Sequence, residues 1–83
     1  MLTPKIERVD VLEDYKLLLY FKTGEKRIYD MKKNLQYECF KKLKDKEVFN
    51  TVKPAGETIE WDTGEDVNPD DLYFNSKLIE ENK

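Results

Sequence analysis

No histidine occurs among the 83 residues, which removes the side chain most used for proton transfer near neutral pH and the commonest ligand of transition metals. Ser/His/Asp and Cys/His nucleophile pairs go with it. The one cysteine, Cys39, cannot build a structural zinc site by itself. It also leaves no disulfide within a monomer, so a reducing compartment, the cytoplasm, is expected. Long apolar runs are missing as well. The longest, Leu17 to Phe21, is five residues against the ~20 of a membrane span, and no membrane association is expected. With three glycines and three prolines, there is no low-complexity tract and no internal repeat. The enzyme chemistries left would rest on carboxylates, Lys, Tyr or a borrowed cofactor. Eighteen Asp and Glu spread over a small polar surface serve solubility first, so no catalytic, metal-binding or cofactor-binding residues are expected.

What is present suffices for one domain. Leu, Ile, Val and Phe together number 22, above the ~20% of a chain below which disorder is expected. At 10.0 kDa the interior is shallow, and the margin of stability for such a chain is ~3–5 kcal/mol unless something staples it.

Along the chain, Val9 and Val11 alternate with charges over residues 6 to 12, the period of a half-buried strand. In Lys16 to Lys22, Leu17, Leu19 and Phe21 share one face and Leu18 and Tyr20 the other, which predicts a central strand. Thr23-Gly24-Glu25 supplies a hairpin, and residues 26 to 30 return with Ile28 and Tyr29 on opposite faces. From Asn34, Leu35, Cys39, Phe40 and Leu43 fall on one stripe of a 3.6-residue helix that exits at Lys44-Asp45-Lys46. Cys39 is therefore expected as an inert core thiol. Val48, Phe49 and Val52 offer a short strand or extended packing segment and Thr58 to Trp61 a last strand, with Trp61 closing the core and its N–H tied to a carbonyl. Asn68-Pro69-Asp70-Asp71 starts a one-turn helix. The expected fold is α+β: an antiparallel sheet, a three-stranded meander plus one or two later strands, with one amphipathic helix packed on a face and a short C-terminal helical turn. Residues 1–74 form the domain and residues 75–83 a polar, flexible tail.

Charge divides unevenly. Residues 1–53 carry thirteen Lys and Arg against nine Asp and Glu, and residues 54–83 carry two against nine, balances of +4 and −7. Asp66, Asn68 and Asp70 alternate like the first ligands of a calcium loop. The sixth position is Asp71 where Gly is needed and the twelfth Lys77 where Glu is needed, so a turn and a capped helix account for them better. Five tyrosines, Tyr15, Tyr20, Tyr29, Tyr37 and Tyr73, are weighed as a stacking platform for bases, but such platforms usually line a basic groove.

Four stretches in order, Ile6 to Val11, Tyr15-Lys16-Leu17 running into Phe21-Lys22-Thr23-Gly24-Glu25 and Asp30, Phe40 to Asp45 with Val48-Phe49, and Ile59-Glu60-Trp61 with Asp66 to Tyr73, together resemble the bacterial domain-of-unknown-function family 2442. The resemblance covers residues 4 to 74. It implies a small α+β domain, sometimes fused to a helix-turn-helix, often encoded beside a small protein of family 4160 in an arrangement similar to a toxin–antitoxin pair. It brings no catalytic residues. About ten residues follow the last motif, too few for a helix-turn-helix, so direct DNA binding is not expected.

The leading expectation is thus a non-enzymatic protein-interaction module, the acidic antitoxin-like member of a two-gene bacterial system. Its partner, toxin-like and of family 4160, would be met through Glu60, Asp62, Glu65, Asp66, Asp70 and Asp71. The alternative is a nucleic-acid-associated transcriptional regulator using Lys26, Arg27, Lys32, Lys33, Lys41, Lys42 and Lys44. The negative net charge and the scarcity of arginine weigh against it. A homo-oligomer formed at exposed sheet edges is a third expectation.

Overall fold

The alternating N-terminal stretch forms β1 (Ile6–Val11), β2 (Lys16–Phe21) and β3 (Glu25–Asp30), an antiparallel meander, in a computed structural model that describes residues 3–81. Leu17, Leu19 and Phe21 are buried, whereas Leu18 on the other face is half-buried and paired with Ile28. Val9 and Val11 oppose Leu19 and Leu17. Simple alternation from them would send Ile6 to the outer face. A bulge between Ile6 and Arg8 inserts Glu7, restores the parity and sets Ile6 against Phe21 in the core. Gly24, at φ 95°, makes the turn into β3 that the sequence marks.

The segment expected to be one α-helix is built differently. It forms two 3-10 helices, Lys32–Gln36 and Glu38–Lys44, separated by Tyr37 in an extended conformation. Their bonds run to the third residue back, Asn34 N–H to Met31 O and Phe40 N–H to Tyr37 O. At three residues per turn, Leu35 and Leu43 stay inside and Phe40 is half-buried, but position 39 rotates outward. Cys39 is therefore exposed, not the core thiol that a 3.6-residue period places there. Asp45, read as the helix exit, is instead an N-cap: its side chain accepts the Glu47 N–H and opens α1 (Lys46–Phe49). Val48 and Phe49 are thus helical, and the strand expected of them falls later.

That strand is β4 (Lys53–Ala55), which pairs with β5 (Thr58–Glu60) in a separate two-stranded sheet. Just after β5, Trp61 is buried and donates its indole N–H to Phe49 O at 2.9 Å, the carbonyl tether expected of it. Asn68 caps α2 (Pro69–Phe74), accepting the Asp70 N–H at 2.9 Å, with Pro69 in the first turn. Of the tail expected at residues 75–83, the described part departs from the expectation. Residues Lys77–Glu81 form β6 on the open side of β3, completing a four-stranded sheet in the order β1-β2-β3-β6, while residues 82 and 83 lie outside the described residues. A free edge supplies unpaired backbone groups, so an edge strand needs little apolar content of its own.

The fold is α+β, as expected. The inner face of the meander meets Leu35, Leu43, Phe49, Ile59, Trp61, Val67 and Leu72 in one core.

Candidate interaction surface

Alternation along β3 sends Glu25, Arg27 and Tyr29 toward the inner side and Lys26 and Ile28 to the outer side. Glu25 is buried. Its Oε2 accepts from Arg27 Nε at 3.1 Å and Nη2 at 2.8 Å, its Oε1 from Thr23 at 2.9 Å, and the Tyr73 hydroxyl lies 2.8 Å from both oxygens. The Arg27 guanidinium also stacks on the Tyr73 ring at 4.2 Å and reaches Ser76 O at 3.4 Å. This cluster ties α2 and the start of β6 to the sheet. A few ångströms along β3, Tyr29 donates to Asp71 at 2.8 Å and accepts from Asn34.

Burial works against the charge on Glu25, yet the donors Tyr73, Arg27 and Thr23 together outweigh it and hold the carboxyl below its usual range. Burial likewise disfavours the Arg27 cation, but the bond to Glu25 keeps it above its ordinary value. Burial, then the bond to Asp71, pushes the Tyr29 hydroxyl up to about 12, and burial and Glu25 raise Tyr73 in the same way. Each group is fixed in its ordinary ionisation state near neutral pH. None of them is poised to exchange a proton there, as a general acid or base would be.

The six acidic candidates separate into two groups. Glu60, Asp62, Glu65 and Asp66 sit on β5 and the turn behind it, which is closed by Trp61 N–H to Glu65 O, Gly64 N–H to Trp61 O and a bridge between Glu60 and Asp66. Asp62 and Asp66 are exposed and Glu60 and Glu65 half-buried; Glu65 accepts from the Thr63 hydroxyl, and Asp62 stands 3.7 Å from Lys53. Asp70 is exposed on the first turn of α2. Asp71 faces inward to Tyr29 and Asn75 and is half-buried. Asn68, the middle member of the calcium-like alternation, commits its side-chain oxygen to the α2 cap.

The basic candidates do not share one face. Arg27 is taken up by Glu25 and Tyr73, and Lys26 lies on the outer side of the sheet. Lys32 pairs with Asp14 at 3.1 Å. Lys33, Lys41, Lys42 and Lys44 are exposed along the 3-10 helices. The tyrosines are equally dispersed: Tyr15 donates to Lys44 O and Tyr20 to Asp10, Tyr29 and Tyr73 are engaged as above, and Tyr37 is exposed.

One shallow cleft of about 130 Å³ is lined by residues that include Leu12, Asp14, Tyr15, Lys46 and Phe49, well under the ~300 Å³ at which ligand pockets begin. Beside it, Asp14 and Tyr15 are both left-handed at φ 59° and 60°, an unusual pair for side chains other than Gly. The Tyr15 bond to Lys44 O, an edge-on contact with Phe49 and Met31 N–H to Tyr15 O hold this turn in place. Among the described residues, no three His, Cys, Asp or Glu side chains are gathered as a metal site, and no helix is long and apolar enough to cross a membrane.

The family model described as protein of unknown function (DUF2442) matches residues 6–77. The chain belongs to this family. The match runs from the first residue of β1 to the first of β6, so the family's shared unit takes in the meander, both later strands of the small sheet and the capped helix. No curated protein and no solved structure matches the chain.

Two features of this family member were not anticipated from the sequence. The Glu25–Arg27–Tyr73 cluster joins residues 48 apart along the chain, and nothing local to either partner marks it. The other is the open edge of β6, on which Leu78 and Ile79 are exposed. Its signal was the pair Leu78-Ile79 itself, two apolar residues in a stretch otherwise polar.

Proposed function

We propose that the protein is a non-enzymatic protein-interaction module that meets a second small protein through the acidic turn carrying Glu60, Asp62, Glu65 and Asp66, with Asp70 beside it in sequence. One observation carries this reading. The titratable groups that the fold shifts from their ordinary range, Glu25 and Tyr29 among them, serve internal fastening, while the exposed carboxylates of a segment with a balance of −7 are held on a tight, well-bonded turn. A rigid turn presents charge at low entropic cost, and complementary charge steers encounter and selects the partner. Asp71 drops out of the binding set, since it is engaged with Tyr29. The family resemblance supports an antitoxin-like role in the bacterial cytoplasm, with the family 4160 neighbour as the partner. Co-expression with that neighbour followed by size-exclusion chromatography tests it. One co-eluting peak, lost in the Asp62→Lys/Asp66→Lys variant, is expected; two independent peaks at micromolar concentration refute it.

A second reading, a nucleic-acid-associated regulator, draws on the exposed Lys33, Lys41, Lys42 and Lys44 along consecutive 3-10 helices. It requires a shift with DNA or RNA at low salt that falls steeply as salt rises.

A further inference from the structure

Side-chain fastening at the C-terminal end is strong as far as Ser76 and then gives way. Ser76 is buried; its hydroxyl donates to Tyr73 O at 2.7 Å, and its carbonyl accepts from Arg27 Nη1 at 3.4 Å. The next three residues, Lys77, Leu78 and Ile79, are all exposed, and none enters the core. Their hold on the sheet is the backbone ladder to β3, which is itself interrupted. β2 and β3 pair without a break from Lys16 opposite Asp30 to Tyr20 opposite Lys26, whereas the β3–β6 register shifts between Lys26 and Arg27 and leaves Ile79 as the bulged residue. The family's shared unit stops at Lys77, so β3 lies within it and the body of β6 beyond it.

We propose that β6 is a displaceable strand, holding the edge of β3 in place of an extended segment supplied by a partner protein. A strand with few buried apolar contacts opens at a free energy well below that of the whole domain. Its opening uncovers the row of β3 backbone groups that β6 now satisfies, a template on which another extended chain adds antiparallel. β3 itself stays in place. Its other edge is paired with β2, and Glu25, Arg27 and Tyr29 are bound to Tyr73, Ser76 O and Asp71, all of which precede β6.

Ser76 decides between a second copy and a different protein as the source of the incoming strand. Pinned to Tyr73 and Arg27 of its own copy, it leaves no slack before Lys77, so β6 is not released far enough to cross to another molecule. A partner's segment carries no such tether. β6 also shows what the edge accepts. Leu78 lies opposite Arg27 and so shares its inner side, which means that the incoming segment is read through its backbone, with an apolar residue at this one position. The acidic turn behind β5 is not part of this sheet, so the β3 edge and the surface proposed above are separate.

Hydrogen exchange on the full chain, read amide by amide by NMR, tests the opening. Protection in residues 77–81 is expected to be about a hundredfold or more below that of β2; equal protection in the two strands overturns the proposal. Leu78→Pro/Ile79→Pro alters adjacent positions, so a ladder N–H is lost whichever of the two faces β3. This full-length variant is expected to release β6 with the urea midpoint of the remaining domain little changed, and a variant that unfolds shows that β6 is not displaceable. The probe for the edge is a capped synthetic peptide with the sequence of residues 77–81. Added to the variant at millimolar concentration, it is expected to shift the β3 amides, with the parental chain needing about tenfold more peptide because its edge is filled. No shift in the variant, or equal titration of the two chains, overturns the proposal. So does a parental dimer that the two prolines convert to a monomer in light scattering, since the edge would then belong to a second copy.

Discussion

The meander and the α2–β6 end close on the same core by unlike means. In the meander, Leu17, Leu19 and Phe21 are almost wholly out of water, and the sheet face they form carries the bulk of the packing. The α2–β6 end contributes one completely buried apolar side chain, Leu72. Otherwise it is fastened by Glu25 to Tyr73, Arg27 to Ser76 O, and Tyr29 to Asp71, with the Tyr73 ring set edge-on to Phe21. Burial of apolar surface has no direction and responds little to pH or salt. Charge-assisted hydrogen bonds have direction and depend on ionisation. Two parts of one small domain should therefore fail under different perturbations.

The largest effect separating them is expected from Leu19→Ala. Removing a fully buried leucine costs about 2–5 kcal/mol, comparable with the whole ~3–5 kcal/mol margin of a chain this short. Urea titration followed by circular dichroism should show the entire domain unfolded or nearly so, because the meander is the platform for everything else. Glu25→Gln should act more locally. It leaves the Arg27 guanidinium, buried to within 16% of its side-chain area, without a counter-ion. The expected cost is about 2–3 kcal/mol, below the ~3–5 of a fully buried pair because Arg27 keeps some water. Amide hydrogen exchange should quicken first in residues 69–81, with the β1–β2 amides still protected. If all amides quicken together, the two regions are not separable.

The same carboxylate gives the α2–β6 end a pH signature. Since the folded state holds Glu25 below its unfolded range, the contribution is complete above the unfolded value. It is lost as pH falls through the depressed folded one. Stability should therefore be flat in this respect from neutral pH down to the ordinary carboxylate range and fall below it. Glu25→Gln should remove that part of the acid-side slope, and a variant with the parental slope would show that Glu25 is not its source.

Asn68→Ala should cost about 1 kcal/mol, a lost cap, read as a lower urea midpoint at unchanged slope. This feature was plain in the sequence because a cap is local: Asn68-Pro69-Asp70-Asp71 contains every group the capped turn uses. The meander was plain for a similar reason, since a period of two and one turn glycine specify strands without reference to anything distant. Trp61 was legible from its chemistry, a large ring that needs both burial and one acceptor. Where the reading departed, the deciding contact was remote. Ile6 reaches the core through a bulge opposite Phe21, and β6 exists because β3 has an edge to offer. Of the surface residues, Asp71 and Arg27 looked like their charged neighbours until Tyr29, Glu25 and Tyr73, contributed by other segments, claimed them.

The smallest expected effect is also the one that best resolves the helical segment. A 3.6-residue period puts Cys39 on the stripe with Leu35 and Leu43, where Cys→Ser would bury a hydroxyl without a partner and cost ~1–3 kcal/mol. The break at Tyr37 and three-residue turns put the same side chain in water, where a substitution changes stability by no more than about 0.5 kcal/mol. Cys39→Ser should therefore leave the urea midpoint where it is. The native thiol should react with an aromatic disulfide reagent at a rate close to that of the urea-unfolded chain, because no opening step precedes attack. A protected thiol together with a destabilised serine variant would return this segment to a continuous α-helix. The contrast would then shift from meander against C-terminal end to sheet against helix.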